Sequence, residues 1–228
     1  MSKTATSTCL SEIKKQADNF RLSSNYEEST KLYKLGADLN DSECQYRFGQ
    51  CLDYLGNCED AVRAYKQASD QGNEDAHLKL ANALTTGKWI EQDLVKARNL
   101  YSRCSLPEAQ YNLGKCFEIG IGGKKNLKQA FELYTKAALE GSTESQFAVG
   151  RCLALGRGVK KDLEKAVVFY TTASNDGYCK HAQFALAECY RLGKGIKKNL
   201  EEARNLYKQS AGQGYPQAIE KLKKMKRM

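Results

Sequence analysis

Tyrosine recurs along this chain at intervals of 32 to 37 residues, each time with a serine or alanine four positions before it. The six recurring residues are Tyr33, Tyr65, Tyr101, Tyr134, Tyr170 and Tyr207. A second small residue follows each tyrosine by three positions, and this spacing places all three on one face of a helix. A repeat of this length predicts an array of one helical unit in place of a single globular core.

The ends of the tyrosine-bearing helices are marked by residue types that begin and stop helices. Asparagine or aspartate, which cap a helix N-terminus through the side chain, precedes five of them: Asn25, Asp93, Asn126, Asp162 and Asn199. Glycine, which adopts the left-handed conformation that ends a helix, follows four of them: Gly72, Gly141, Gly177 and Gly214.

A second helix is predicted before each tyrosine helix. It carries its own apolar stripe and a small residue where the partner helix crosses: Gly49, Ala81, Gly114, Gly150 or Ala187. The link between the two helices often contains Gly-x-Gly, as at Gly156 to Gly158 and Gly193 to Gly195. This motif follows a helix and lacks the Lys-Ser/Thr of a phosphate-binding loop, so we interpret it as a turn. Each unit is therefore a helix hairpin that buries its apolar face by stacking on the next hairpin.

Two signatures in these hairpins, Ala-x-x-x-Leu-Gly in the first helix and Asp-x-x-x-Ala-x-x-x-Tyr-x-x-Ala in the second, resemble the Sel-one-like repeat family, a branch of the tetratricopeptide type. The best matches are 109–141 and 145–177. The resemblance implies an all-α fold, a right-handed α-solenoid of about six stacked hairpins, in a chain that acts as a scaffold or adaptor. Two shortened links, at 55–58 and 104–109, are predicted to change loops only.

The sequence predicts one solenoid domain over residues 1–228. A degenerate repeat occupies residues 8–40, five repeats follow over 41–214, and a polar, basic cap helix ends the chain at 215–228. No apolar run reaches the length of a membrane span and no secretory leader is visible, so we expect a cytoplasmic, monomeric protein without a membrane segment.

The net charge is +9, and the last helix contributes Lys221, Lys223, Lys224, Lys226 and Arg227. We interpret these residues mainly as a solvated cap. The alternative function is binding of nucleic acid or acidic surfaces through this tail. Nucleic acid is the less favoured partner because the tyrosines sit at repeat-packing positions and are not available to stack on bases.

Nine cysteines are present, with no Cys-x-x-Cys and only two histidines, so neither a metal site nor a cofactor is expected. Four of them, Cys51, Cys116, Cys152 and Cys189, share one repeat position and are predicted to pack as small hydrophobic residues. Cys9, Cys58 and Cys179 lie outside the regular positions and are the expected exposed thiols. His77 stands where other units have glutamine, and the Cys179–His181 pair lacks an orienting third group, so we expect no enzymatic activity.

The candidate binding surface lies on the first helices of the hairpins, which line the concave face in tetratricopeptide-type arrays. Its stripe consists of Tyr46, Leu78, Tyr111, Phe147 and Phe184. These side chains either pack within their own hairpins or form the floor of a groove for a protein or peptide partner. Lys115 and Arg151, one turn further along, are predicted to share a carboxylate of the ligand. Trp89, in place of the second loop glycine, either folds back on the repeat or is an exposed anchor.

Overall fold

A computed structural model describes residues 3–175 and 179–225, with side chains from residue 9 onward. These residues form helices and connecting turns, with no strand among them. The helices are α1 Lys3–Leu22, α2 Tyr26–Asp38, α3 Ser42–Tyr54, α4 Cys58–Asp70, α5 Glu74–Thr86, α6 Leu94–Ser102, α7 Pro107–Ile119, α8 Leu127–Leu139, α9 Thr143–Leu155, α10 Leu163–Asn175, α11 Lys180–Leu192, α12 Leu200–Gly212 and α13 Pro216–Met225. None of the described helices is long and apolar enough to cross a membrane.

The chain divides into two compact units, residues 1–109 and 110–228. In the first unit α1 packs on α2, α3 on α4 and α5 on α6, and each pair contacts the next through α2–α3 and α4–α5. In the second unit α9 packs on α10 and α11 on α12, joined through α8–α9, α10–α11 and α12–α13. This serial packing of neighbours confirms the predicted all-α array of stacked hairpins.

The predicted helix ends are confirmed by hydrogen bonds of the capping side chains. Asn25, Asp93, Asn126, Asp162 and Asn199 each accept from a backbone N–H in the first turn of the helix that follows. The predicted helix stops Gly72, Gly141 and Gly214 have φ of 87°, 90° and 75°, the left-handed region that only glycine enters without strain. The remaining predicted stop, Gly177, lies outside the described residues.

The repeating tyrosines form the core of each hairpin, as the sequence predicts. All six are at most 5% exposed. The small residue on the facing helix makes room for the ring, because a methyl group placed on Gly114 would lie 2.6 Å from Tyr134 Cε1. The same substitution at Gly49 or Gly150 would place the methyl group 2.7 Å from the ring of Tyr65 or Tyr170. The glycine and tyrosine are therefore one packing unit, and a larger residue at the glycine would displace the ring.

Cysteine packing is also confirmed. Cys51, Cys116, Cys152 and Cys189 are buried at their shared repeat position, and Cys44 and Cys104 are buried as well. All nine cysteines are free thiols. Of the three expected exposed thiols, Cys9 is exposed while Cys58 and Cys179 are half-buried.

One prediction about the shortened links is wrong. The link at 55–58 is a short turn between α3 and α4, as expected, but the other deletion shortens a helix and not a loop. Helix α6 has nine residues, whereas α4 and α8 have 13. The chain leaves the helix early because the Ser105 backbone N–H and hydroxyl both donate to the Glu74 carboxylate. Pro107 also disfavours helical geometry in the residue before it.

Candidate protein-binding face

The predicted stripe of first-helix side chains packs against the repeat tyrosines. Ring centroids lie 5.9 Å apart for Tyr46 and Tyr65, and 5.6 Å apart for Tyr111 and Tyr134. The Phe147–Tyr170 and Phe184–Tyr207 pairs are 5.8 Å and 5.6 Å apart. Each pair is tilted and within a single hairpin, an arrangement that aromatic rings favour. The rings therefore pack within their own hairpins, as the first of the two sequence alternatives predicts, and a groove for a partner stays a prediction.

Accessibility divides the stripe between the two units. Tyr46 and Leu78, in the first unit, are 5% and 7% exposed and present little surface. Tyr111, Phe147 and Phe184, in the second unit, are half-buried. Within the second unit the first helices are neighbours, because Phe147 contacts His181 of α11 and Phe184 contacts Tyr215 next to α13. We call the surface formed by α7, α9 and α11 the first-helix face.

In several hairpins the repeat tyrosine hydroxyl is paired with an acceptor on the first helix. Tyr65 donates to Asp53 at 2.6 Å and Tyr134 to Glu118 at 2.8 Å, and Tyr207 donates to Glu188. Tyr101 donates instead to the amide oxygen of Asn82 at 2.6 Å. Burial, followed by the adjacent carboxylate, raises the pKa of Tyr134 well above the ordinary tyrosine value, so this hydroxyl remains a donor.

Glu118 connects two successive hairpins of the second unit. This carboxylate is 7% exposed and accepts from Tyr134 of its own hairpin. It also pairs with Arg151 of α9 at 2.5 Å and with Arg157 in the following loop at 3.2 Å. Arg151 thus already has an internal carboxylate partner. Lys115, by contrast, is exposed, forms no salt bridge among the described residues, and lies 5.5 Å from the centre of the Tyr111 ring.

Glu188 repeats this arrangement next to the last described helix. It pairs with Arg191 at 2.5 Å and with Lys221 of α13 at 3.2 Å, and accepts from Tyr207. Burial by itself would raise the pKa of Glu188, but these three donors outweigh it and lower the pKa to about 2. Lys221, which the sequence assigns to a solvated basic tail, therefore helps to dock the cap helix.

Other charges of the tail are also compensated locally. Lys224 pairs with Glu220 at 2.6 Å, which leaves Lys223 as the exposed tail lysine without a salt bridge in the described part of the chain. Lys226 and Arg227 lie outside the described residues. The alternative function is binding of an acidic surface through the tail. In the described part of the tail, little uncompensated positive charge is accessible for it.

Trp89 is mostly exposed, with 59% of its surface accessible, and its φ of 65° is unusual for a bulky side chain. The equivalent residues Gly158 and Gly195 each approach the second helix of the preceding hairpin very closely. An added methyl group would lie 2.0 Å from Leu127 O at the start of α8, and 2.2 Å from Leu163 O at the start of α10. A tryptophan cannot make that approach. The loop after α5 must therefore stand away from its neighbour, which favours the exposed alternative for Trp89.

Neither histidine occurs in an arrangement suited to catalysis. His77 is 2% exposed, and both of its ring nitrogens are buried without a hydrogen-bond partner in the described structure. His181 is exposed, and its ring lies against the rings of Phe147 and Tyr215. Burial lowers the pKa of both histidines, so both favour the neutral form. The described residues contain no cluster of three or more His, Cys, Asp or Glu side chains that could hold a metal ion.

A sequence profile of the Sel1 repeat matches residues 20–41, 74–103, 107–142, 143–178 and 180–215, well over half of the chain. The chain belongs to the Sel1 repeat family. The longest stretch that this Sel1 profile leaves unmatched, residues 42–73, contains α3 and α4, the hairpin whose link has lost the Gly-x-Gly loop.

Solved Sel1 repeat structures share the fold over nearly all of this chain. A Sel1 repeat protein from Oxalobacter formigenes superposes with a TM-score of 0.86 and 27% identity, covering 92% of this chain and 86% of that one. A protective antigen of uropathogenic Escherichia coli, described as displaying an SLR fold, gives a TM-score of 0.80 at 22% identity. It covers 93% of this chain and 50% of the antigen chain.

Curated relatives match only through a segment of their length. Chitin synthase regulatory factor 3 from Schizosaccharomyces pombe is 29% identical over 143 residues, 58% of this chain and 15% of the relative. The ERAD-associated E3 ubiquitin-protein ligase component HRD3B from Arabidopsis thaliana is 30% identical over 123 residues, 47% of this chain and 20% of the relative. The likeness is therefore to a repeat-containing part of much longer proteins.

Proposed function

We propose that this chain is a non-catalytic scaffold or adaptor that binds a segment of another protein on its first-helix face, which we take to be the concave face of the array. Membership of the Sel1 repeat family supports protein binding. The names of two relatives, a regulatory factor and a component of a ubiquitin ligase, fit proteins that work by association. Monomeric state and cytoplasmic location stay predictions.

The observation that carries this proposal is the double role of Tyr111, Phe147 and Phe184. Each ring is held by a tyrosine of its own hairpin and yet remains partly exposed. Rigid, partly exposed aromatic side chains provide apolar contact area at low entropic cost, which favours binding. Lys115 beside Tyr111 adds an accessible positive charge to the same face.

Charge reversal at Lys115 tests the proposal without disturbing the core. Lys115→Glu alters an exposed side chain with no salt bridge in the described structure, whereas Arg151 is unsuitable because it pairs with Glu118. Lys136→Glu on α8 is the matched control, an exposed lysine on the second helix of the same hairpin. Immobilised wild type and both variants would be used to capture proteins from cell extract, with quantification by mass spectrometry and circular dichroism to check folding.

The proposal predicts proteins that bind wild type and Lys136→Glu equally but are depleted about ten-fold by Lys115→Glu, since one rim charge is worth about 1 kcal/mol or somewhat more in such contacts. For purified candidates, the dissociation constants measured by direct titration should differ between Lys115→Glu and wild type by the same factor. Equal recovery by all three proteins would contradict the assignment to the first-helix face.

A further inference from the structure

Three long loops of the second unit bring the same residue types to one edge. They connect α7 to α8, α9 to α10 and α11 to α12. Each loop follows an exposed aliphatic residue, Ile119, Leu155 or Leu192, with 65%, 57% and 44% exposure. Each ends with two exposed lysines before the helix cap: Lys124–Lys125, Lys160–Lys161 and Lys197–Lys198. We call the surface formed by Ile119, Leu155, Leu192, Lys125, Lys161 and Lys198 the loop edge.

The three loops share one conformation. The backbone N–H of the cap residue closes each loop by donating to a carbonyl near the end of the preceding helix, at 2.8 Å for Asn126 and Phe117 and 3.0 Å for Asp162 and Leu153. The second lysine of each pair lies against the first glycine of its loop. A methyl group placed on Gly156 would be 3.5 Å from Lys161 Cβ, and one on Gly193 would be 3.4 Å from Lys198 Cβ. Each aliphatic residue directly precedes that glycine in the chain, so its backbone is near that of the second lysine.

Successive loops are also packed side by side. Gly158, in the second loop, contacts the Leu127 backbone at the start of α8, immediately after the first loop. Gly195, in the third loop, contacts the Leu163 backbone at the start of α10 in the same way. Since packed helices lie about 8–10 Å apart, the lysine and aliphatic residues recur along the edge at about 10 Å.

The loop-edge lysines remain accessible to a ligand, although Glu164 and Glu201 line the adjoining grooves. Lys125, Lys161 and Lys198 form no salt bridge among the described residues, and neither do Lys160 and Lys197. Two grooves, of about 740 Å³ and 580 Å³, adjoin the edge, and each is lined by one loop-edge lysine, Lys161 or Lys198. Equivalent residues line both: Lys161, Leu163 and Glu164 in the first, and Lys198, Leu200 and Glu201 in the second. Each groove thus combines an apolar side chain with a cation.

We propose that the loop edge binds an extended acidic segment of a polypeptide, with apolar and acidic residues recurring about every third position. In an extended chain of polyproline II conformation every third side chain lies on the same face, about 9 Å further along, which matches the expected spacing of the lysine and aliphatic pairs. This site goes beyond the proposed function, because it consists of loop lysines and the last residue of each first helix and uses none of the first-helix aromatic residues.

The chemistry of the edge favours a polypeptide over other anionic ligands. No aromatic residue occurs in the three loops, so nucleic-acid bases have no ring to stack on. The carboxylates of Glu164 and Glu201 sit among the lysines, where they would repel a continuous row of nucleic-acid or lipid phosphates. A polypeptide can satisfy them with backbone N–H groups while its acidic side chains bind the lysines.

A triple Lys→Gln variant at Lys125, Lys161 and Lys198 tests the proposal. Glutamine is compatible with this loop, because Gln92 already occupies the equivalent position beside Gly87. The matched control replaces the exposed lysines Lys66, Lys136 and Lys208, which are on second helices, by glutamine. It removes the same net charge, so general electrostatic attraction cancels in the comparison.

Selection from a displayed random library of peptides of about twelve residues, long enough to span three hairpins, is the measurement. Peptides retained by wild type and the control but lost from the loop-edge variant should be rich in Asp and Glu, with Leu or Ile about every third residue. Their affinity should fall at least ten-fold in the loop-edge variant, since each lost ion pair weakens binding several-fold. It should also fall in an Ile119→Ser, Leu155→Ser, Leu192→Ser variant, and be unchanged in Lys115→Glu.

Three results would overturn this assignment. The first is the absence of any peptide that distinguishes wild type from the loop-edge variant. The second is a differential set with no acidic bias. The third is tighter binding of duplex DNA or of phosphatidylserine vesicles than of any selected peptide, lost in the same triple variant, which would reassign the edge to nucleic acid or membrane. A result on Lys115→Glu bears only on the first-helix face, so the two proposals fail independently.

Discussion

Tyr134 donates a 2.8 Å hydrogen bond to Glu118, and through that carboxylate the core of one hairpin is tied to Arg151 and Arg157 of the next. The interaction links packing within one hairpin to packing between successive hairpins. Tyr134 packs within α7–α8 against Gly114 and Tyr111, while Glu118 reaches α9. Stability of the second unit should therefore depend on this hydroxyl as well as on the ring.

Tyr134→Phe should lower the free energy of unfolding by about 1.5–3 kcal/mol, because a buried hydrogen bond to a charged group is lost. Tyr134→Ala should cost about 3–5 kcal/mol, since the ring is fully buried. Urea unfolding followed by circular dichroism measures both. Tyr170→Phe is the control, because the Tyr170 hydroxyl has no carboxylate partner in the described structure; equal losses for the two phenylalanine variants would contradict a role for the Glu118 pair.

Gly158→Ala should be much more destabilising than Gly72→Ala, although φ is positive at both positions, 73° and 87°. The left-handed conformation costs an alanine about 1–2 kcal/mol, and this is the whole effect at Gly72, where an added methyl group meets nothing within 4 Å. At Gly158 the methyl group would lie 2.0 Å from Leu127 O, so displacement of the loop should bring the loss to about 2–5 kcal/mol. Equal urea unfolding midpoints for Gly158→Ala and Gly72→Ala would show that the loop does not approach α8 as described.

His77→Gln should stabilise the protein by about 1 kcal/mol, because a buried group without partners is replaced by one that can accept a hydrogen bond. The equivalent Gln45 and Gln183 accept from Gln71 and Gln213 at 2.6 and 2.7 Å, and Arg103 occupies the corresponding position for residue 77.

The stabilisation by His77→Gln should also depend on pH. Burial, and then the charge of Arg103, lowers the pKa of His77, so the unfolded chain binds a proton more readily than the folded one. Wild type therefore loses stability as the pH falls below about 6.5, the ordinary histidine value, and the advantage of the variant should grow between about pH 8 and pH 5. Denaturant midpoints that differ by a constant amount over this range would show that His77 is not a buried neutral group.

Glu188→Gln should cost about 3 kcal/mol at neutral pH, the free-energy equivalent of lowering the pKa of Glu188 from its ordinary value to about 2. Because the folded pKa is the lower one, this stabilisation is present above about pH 4.5 and is lost as the pH falls towards 2. The difference between wild type and variant in urea should thus shrink from pH 7 to about pH 3. Lys221→Met, which removes one of three donors, should lose less stability at neutral pH. A stability difference between wild type and Glu188→Gln that does not change with pH would show that the pKa of Glu188 is not lowered.

Periodicity was enough to predict the hairpins, the cap residues such as Asn126 and the tyrosine core, because each depends on residues a few positions apart or at the same repeat position. The partner of Arg151 could not be predicted this way. Glu118 lies 33 residues earlier, at a position occupied by Asp53, Thr85, Ala154 and Arg191 in other hairpins, so no repeat rule pairs the two. The role of Lys221 in docking α13 was missed for the same reason.

The loop edge could have been suspected from sequence, since lysine pairs precede the cap residue in three successive units. Their position near Ile119, Leu155 and Leu192 could not be predicted from sequence. It depends on loop closure, which brings the residues at the two ends of each loop together. The exposure of Trp89 likewise depends on a close approach that Gly158 and Gly195 make and a tryptophan cannot, and composition and spacing do not encode that distance.

Site-specific photocrosslinking tests most directly the claim that the first-helix face binds protein partners. A benzophenone side chain would replace Lys115 on α7 in one variant and Leu139, 81% exposed on α8, in the other. Each would be irradiated in cell extract, and adducts identified by mass spectrometry. The account predicts a discrete protein adduct from position 115 that is absent from position 139 and is suppressed by excess unlabelled wild type but not by Lys115→Glu. Adducts confined to position 139, or the same set from both positions, would contradict it.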